Sequence, residues 1–436
     1  MNTHSIPQLS FLTADLPGTG GTLKNRPEDF LVDEQPLYEP CGEGEHLYLF
    51  IEKKQATTQD LIRRVAKAFR VKRSDVGYAG QKDKHAVTRQ HLSIYRPGTT
   101  PEEDHECLER FKEYPYAQVI WADRHTNKLR RGHHGGNRFV IKLRDVEPTA
   151  VLKAKPILER LAAEGFPNYL GEQRFGYRQN SHTLGRLLLK GEWQAFLDEM
   201  LGNPLPTESE SVQAARAAYE AGDYDLALEH MPKPLRPDRQ ALDALRQHQS
   251  PEQAVNRIDR TQRDFLVTAA QSAVFNAVVD RRLRDGTLAK LLPGDLAWKH
   301  DNRSCFHVDQ AAADLENDPA ADPAGETSEA EETRGGRVAK LAVSPSGPFW
   351  GPGMTQAAGD VLAAERAALQ DFGLTEADFA DQRHLSTDGT RRPLRERLVD
   401  PDYSGGVDEH GPYLRLAFTL GRGAFATMVV LEITKI

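Results

Sequence analysis

The residues predict a mixed α/β protein in an α+β arrangement, because strand-like and helix-like patterns follow one another along the chain. Alternation of period two runs over residues 46–52 and 137–144, and apolar spacing near 3.6 runs over 57–70 and 264–284. With 436 residues, 39% of them hydrophobic and 28% charged, the chain can bury a sizeable core in roughly two to three domain-sized units.

Taken in order, residues 46–52 place Leu47, Leu49 and Ile51 on one face of a strand and Tyr48 and Phe50 on the other. Residues 57–70 form the clearest helix: Leu61, Ile62, Val65, Ala66 and Phe69 share a face, and Thr57 or Thr58 can cap its start. Arg63, Arg64, Lys67 and Arg70 then take the polar side. Residues 137–144 alternate Phe139, Ile141 and Leu143 against Arg138, Val140, Lys142 and Arg144. Residues 264–284 read as a more apolar helix that stops at Gly286. The segment 309–336, rich in Ala, Asp, Glu, Pro, Gly and Thr, reads as a flexible acidic loop, because it cannot bury enough apolar surface to offset its ordering entropy. Residues 413–420 and 426–433 read as two strands of a hairpin joined at Gly421-Arg422-Gly423.

No apolar run approaches the roughly 20 residues of a membrane span, so no membrane partner is expected. Residues Met1-Asn-Thr-His-Ser-Ile6 lack a basic stretch followed by an apolar one, so no secretory signal is expected. Cys41, Cys107 and Cys305 are odd in number, widely spaced and without zinc spacing, which fits a reducing, cytoplasmic setting. His85, His91, His133 and His134 do not make a metal reading, and no metal is expected.

Charge is segregated. The chain carries a net charge of -8, yet residues 53–100 hold twelve Lys/Arg against three acids and residues 120–146 hold seven against two. Residues 309–332 hold nine acids and no Lys or Arg. Two basic segments on an acidic protein point to a polyanion-binding surface. Between them, residues 77–90 read Gly-Tyr-Ala-Gly-Gln-Lys-Asp-Lys-His-Ala-Val-Thr-Arg-Gln and set one carboxylate, Asp83, in a short polar loop. By itself such a loop is most often solvated charge.

The wider context changes that reading. The segment Ala79-Gly-Gln-Lys-Asp-Lys-His-Ala-Val-Thr88 resembles the signature of the TruD family of tRNA pseudouridine synthases. Arg26-Pro-Glu-Asp-Phe30, Gly42-Glu-Gly-Glu-His46, Lys128-Leu-Arg-Arg-Gly-His133 and Gly136-Asn-Arg-Phe139 resemble further family motifs in the same order. So do Asn168-Tyr-Leu-Gly-Glu-Gln-Arg-Phe-Gly176, Ser272-Ala-Val-Phe-Asn276, Gly347-Pro-Phe-Trp-Gly351 and Phe425-Ala-Thr427. The resemblance covers about residues 22–436.

It implies a pseudouridine synthase fold with a mixed, largely antiparallel sheet, interrupted by an inserted α/β domain. The catalytic domain would take residues 1–187 and 389–436, and the insertion 188–388. It also implies isomerisation of uridine to pseudouridine at position 13 of tRNA, in the D-arm, by a monomer that needs no cofactor. The absence of a P-loop, a dinucleotide fingerprint and a zinc pattern agrees with that chemistry.

The resemblance puts the catalytic aspartate at Asp83, which must be ionised; an unperturbed aspartate, with a pKa of about 3.9, is ionised at neutral pH. It nominates Phe30 to pack on the target base and Asn168 to hydrogen-bond it, with Lys24, Lys82, Lys84 and His85 as further substrate contacts. In an extended loop Lys82 and Lys84 point away from Asp83, so both are expected to meet RNA phosphate. A basic group from elsewhere, with Arg26, Lys24 and Arg174 as candidates, is expected beside the carboxylate. Leu170 stands where the family has phenylalanine, which puts an RNA contact at that position in doubt. Two other readings share the same basic surface: a non-catalytic RNA-binding protein or RNA chaperone, and the same isomerase acting on another structured RNA.

Overall fold

A computed structural model describes residues 9–23, 25–321, 336–380, 385 and 387–436. Its contacts separate two units. One comprises Phe11–Phe166 with Glu396–Ile436; the other comprises Pro167–Arg395 with the described residues up to Ser10.

The first unit is built on an eight-stranded mixed sheet. Its strands are β1 (Phe30–Gln35), β2 (His46–Lys53), β3 (Val76–Tyr78), β4 (Val87–Tyr95), β5 (Ala117–His125), β6 (Gly136–Arg144), β7 (Leu398–Asp408) and β8 (Gly411–Gly421). The order is β7-β8-β6-β1-β4-β2-β5, with β3 on β4. Only β1 and β4 run parallel; the other neighbours are antiparallel, as expected for this fold.

The alternation read from the sequence is the alternation observed. Leu47, Leu49 and Ile51 of β2 and Leu92 and Ile94 of β4 face helix α1 (Thr58–Ala68), which contributes Leu61, Ile62, Val65 and Ala66, and helix α2 (Pro101–Lys112), which contributes Cys107 and Phe111. Thr57 closes α1 with a reciprocal capping box to Asp60. Arg63, Arg64, Lys67 and Arg70 remain exposed, as the basic stripe predicted.

The far end of the sheet is tied by a buried cation. Arg144 Nη2 lies 2.6 Å from Asp29 Oδ1, and its Nη1 lies 2.6 Å from Asp408 Oδ1. Arg144 and then Lys142 hold the Asp408 carboxyl well below the usual range. The Arg26–Phe30 motif thus uses its own aspartate as a structural anchor.

The predicted second strand of the C-terminal hairpin is instead a helix, α3 (Ala426–Thr434). Strand β8 makes its hairpin with β7, from Leu398↔Leu420 to Asp408↔Gly411. The β-branched run Val429-Val430 and Ile433 suggested a strand, but burial of Met428, Val429, Val430 and Ile433 decides the conformation. Glu432 then accepts hydrogen bonds from the amides of Leu12 and Thr13 at 2.7 and 3.2 Å.

The second unit is mostly helical, around the 25-residue helix Arg260–Arg284, whose chain reverses at Gly286 with φ 65°. An antiparallel four-stranded sheet runs Thr390–Pro393, Val343–Phe349, Leu296–Lys299, Cys305–His307. The seams expected at 187/188 and 388/389 fall within this unit. The helix Ser181–Lys190 crosses Arg260–Arg284 so closely that a Cβ on Gly185 would sit 2.0 Å from the Leu266 carbonyl oxygen.

Part of the segment expected to be an acidic loop is ordered: Gln310–Asn317 is a helix capped by Asp309, whose Oδ1 accepts from the Ala312 amide at 2.8 Å. Its alanines favour helix locally, and Glu316 is buried against Arg337, whose Nε donates to it at 2.9 Å. Residues 322–335 of that segment lie outside the described residues.

Replacing Arg144 by methionine leaves Asp29 buried without its cation. The expected cost is about 3–5 kcal/mol of stability, read as a lower urea midpoint by fluorescence.

Candidate active site

The loop that carries Asp83 joins β3 to β4. Its approach is fixed by Gly77, where an added Cβ would lie 2.3 Å from the Leu129 carbonyl oxygen. Each residue of the Lys82-Asp83-Lys84-His85 stretch then has a distinct attachment.

Lys82 is pinned by both backbone and side chain. Its amide donates to Thr58 Oγ1 at the start of α1, 2.9 Å away. Its ammonium lies 2.8 Å from Glu34 Oε2, with side-chain exposures of only 5% and 1%, and also donates to Asn137 Oδ1. Glu34 and Asn137 face each other across β1 and β6. Glu34 Oε1 accepts from the His91 amide at 3.0 Å and lies 3.4 Å from His91 Nδ1. The His91 ring stacks on Phe50 at 4.6 Å. Burial alone would raise the Glu34 carboxyl; the hydrogen bond from His91 and the charge and hydrogen bond of Lys82 outweigh it and bring it down to about 2.

Asp83 is half-buried. Its carboxylate Oδ1 accepts from the His85 amide at 2.9 Å, an Asx-type turn that fixes the side chain relative to its own backbone. Its carbonyl oxygen accepts from Lys53 Nζ at 2.8 Å. Lys53 is the last residue of β2, is 1% exposed, and pairs across the strands with Thr88. Lys84 and His85 are exposed.

These placements sort the residues named from sequence. Lys84 and His85 stand free to meet a polyanion. Lys82 does not: its ammonium is spent on a buried carboxylate, because Glu34 on β1 needs a cation to be buried at all. Arg26 opens the short turn Pro27–Asp29, and Arg174, in the other unit, stacks over Phe265 at 6.0 Å. Lys24 lies outside the described residues.

Lys53, outside the candidates named from sequence, is a cation held at the Asp83 backbone. A signal for it existed. Lys53 continues the inward series Leu47, Leu49, Ile51, and a lysine at an inward position needs a reason.

Phe30 is 5% exposed and packs edge-on to Phe139 with ring centroids 6.1 Å apart. In the Pro167–Arg395 unit, Asn168 is buried; its amide donates to the Pro393 carbonyl at 2.8 Å and its oxygen accepts from Arg392 Nη2 at 2.6 Å. Leu170 is buried too. Asn276 bridges its backbone, accepting from the Leu170 amide at 2.8 Å and donating to its carbonyl at 2.9 Å. The side chain at 170 therefore packs, and the exchange of phenylalanine for leucine is a packing change.

Known proteins with this sequence and fold give the class. A family model described as tRNA pseudouridine synthase D (TruD) matches residues 8–433. A tRNA pseudouridine synthase D of Geobacter sulfurreducens is 40% identical over 426 residues, covering 98% of this chain and 96% of that protein. One from Geotalea daltonii is 38% identical, covering 98% and 99%. A crystal structure from Methanosarcina mazei, provisionally assigned as tRNA pseudouridine synthase D, superposes with a TM-score of 0.78 over 99% of this chain and 97% of that one; at 24% identity it speaks for the fold.

The protein is thus a pseudouridine synthase, an isomerase that converts uridine to pseudouridine in tRNA. More narrowly, the chain belongs to the TruD family of these enzymes.

The buried Glu34–Lys82 pair sets an acid limit on stability. With the Glu34 carboxyl lowered from 4.5 to about 2, its contribution is complete above about pH 4.5 and is lost as pH falls toward 2. Glu34→Gln is expected to cost about 3 kcal/mol at pH 7 and much less at pH 3, measured from urea midpoints at the two pH values.

Proposed function

We propose that this enzyme modifies the uridine at position 13 of tRNA, in the D-arm, and that Asp83 is its catalytic carboxylate. The observation that carries the reading is the state of the loop. Asp83 sits in the family-like motif, half-buried, its carboxylate turned by the His85 amide and its carbonyl held by Lys53. A reactive group needs such fixing, since small misplacement is costly to rate.

The reaction breaks the N1–C1′ bond of the target nucleoside, turns the uracil, and joins C5 to C1′. Uridine and pseudouridine are isomers, so no electrons are exchanged and no water is consumed. An ionised carboxylate fits three roles: attack at C1′, attack at C6, or removal of the C2′ proton. The target base must first leave its stack, at a cost of a few kcal/mol. Stacking on an aromatic ring returns roughly 1–3 kcal/mol. Phe30 is the proposed aromatic partner, reached by local opening around its edge-on contact with Phe139. Asn168 and Lys24 are proposed substrate contacts alongside Lys84 and His85.

The exposed basic stripe Arg63, Arg64, Lys67 and Arg70 supports phosphate binding on the sheet unit. The sheet unit, Phe11–Phe166 with Glu396–Ile436, is the proposed catalytic domain and Pro167–Arg395 the inserted one. The enzyme is proposed to act as a monomer in the cytoplasm. Among the described residues no helix is long and apolar enough to cross a membrane.

The test is site-resolved pseudouridine mapping on unmodified tRNA incubated with wild type and with Asp83→Ala. Wild type is expected to modify position 13. The variant is expected to lose on the order of 10⁴-fold or more in rate while still binding tRNA in a salt-sensitive way. Undiminished product with Asp83→Ala would remove Asp83 from the chemistry. Binding without product at position 13 by wild type would turn the reading to another RNA target or to an RNA-binding role.

A further inference from the structure

The floor beneath the Asp83 loop is polar, whereas the same face of β2 and β4 is apolar further along, at Leu47, Leu49, Ile51, Leu92 and Ile94. Lys53, Thr88 and Gln90 lie there on β2 and β4, each with no more than 1% of its surface exposed. Lys53 and Thr88 are directly opposite one another across the strands. Thr58 Oγ1, which receives the Lys82 amide, in turn donates to Gln90 Oε1 at 3.3 Å. Thr88 Oγ1 and Gln90 Nε2 are buried without a hydrogen-bond partner. Buried polar groups are costly, and a set of them gathered under one loop calls for a purpose.

From this geometry we infer that Lys53 is the positioning residue of Asp83: its ammonium, clamped on the Asp83 carbonyl, sets the aim of the carboxylate and favours its ionised form. The inference rests on the assignment of Asp83 to the chemistry. The His85 amide and the Lys53 ammonium both act on Asp83. The His85 amide fixes the carboxylate relative to the backbone, and Lys53 fixes that backbone relative to the sheet. Lys82 has no ammonium to spare for this, since Glu34 holds it.

The charge of Lys53 is itself finely balanced. Burial pushes its ammonium down to about 8; Asp83 opposes this, Lys82 adds to it, and Asp60 on α1 opposes it. Among the described residues, those three side chains are the charged groups that act on it from the loop and from α1. Opposite it on β5 stands Ala117, and on β4 Thr88, neither of which titrates. Lys53 therefore carries its proton at neutral pH and gives it up as pH rises through about 8.

The experiment compares steady-state pseudouridine formation by wild type, Lys53→Met, Lys53→Arg and Asp83→Ala between pH 6 and 9, with thermal melts of each. Wild type is expected to lose kcat above about pH 8. Lys53→Met is expected to lose about a hundredfold in kcat with KM for tRNA nearly unchanged. Lys53→Arg is expected to recover part of kcat and to lack the alkaline decline, because a guanidinium keeps its charge.

If Lys53→Met fails to fold, the pH profile of Lys53→Arg still decides: an alkaline decline identical to wild type overturns the inference. So does a folded Lys53→Met with wild-type kcat beside an inactive Asp83→Ala, which leaves the role of Asp83 standing. An active Asp83→Ala overturns both.

Discussion

The ion pair between Lys82 and Glu34 is the constraint on which the Asp83 loop depends. Surface loops normally move, and a loop of charged residues has every reason to stay in water. Here the residue just before Asp83 is drawn inward: its ammonium meets a carboxylate that is almost wholly shielded from solvent. Neither charge could be buried alone, and removing either strands the other. The pair therefore behaves as a latch between the loop and β1. Its geometry holds because the sheet supplies Asn137 from β6 on one side and the His91 amide from β4 on the other. The parallel β1–β4 register, unusual in this otherwise antiparallel sheet, is what brings Glu34 and His91 together.

Much of this frame was legible in the residues, and the part that was not has a clear physical cause. Strand β2, helix α1 and strand β6 follow their periodicities because one face of each is buried and the other is not. The final helix, α3, carries no helical period in the sequence because it is buried on most of its circumference. Its β-branched residues then argue for the wrong state. The helix Gln310–Asn317 was hidden by composition: nine acids over 309–332 describe the segment's average and miss the one turn where Glu316 finds Arg337. The pairing of Lys82 with Glu34 is invisible in the sequence, which gives charge without giving partners.

The same distinction governs the family-like motifs. Two of their polar residues are absorbed by the frame: Asp29 by Arg144, and Asn276 by the backbone of Leu170. A motif residue with its hydrogen-bonding capacity spent inside the protein supports the unit it belongs to. Lys84 and His85 differ in kind, since their side chains are exposed and next to the carboxylate. Recurrence in a motif thus marks two populations, and burial separates them.

The charge pattern follows from the same logic at longer range. A chain with a net charge of -8 repels a polyanion at a distance, so binding depends on where its cations are left unspent. Around the Asp83 loop the protein consumes Lys53 and Lys82 internally and leaves Lys84 and the outer stripe of α1 in solvent. Cations used inside the fold add nothing to the salt dependence of binding, while those outside add little to loop geometry. A count of basic residues over 53–100 therefore overstates the phosphate-binding surface and understates the architecture. Under the proposed assignment of Asp83, the lysines that position its loop are those whose ammonium groups the fold itself holds.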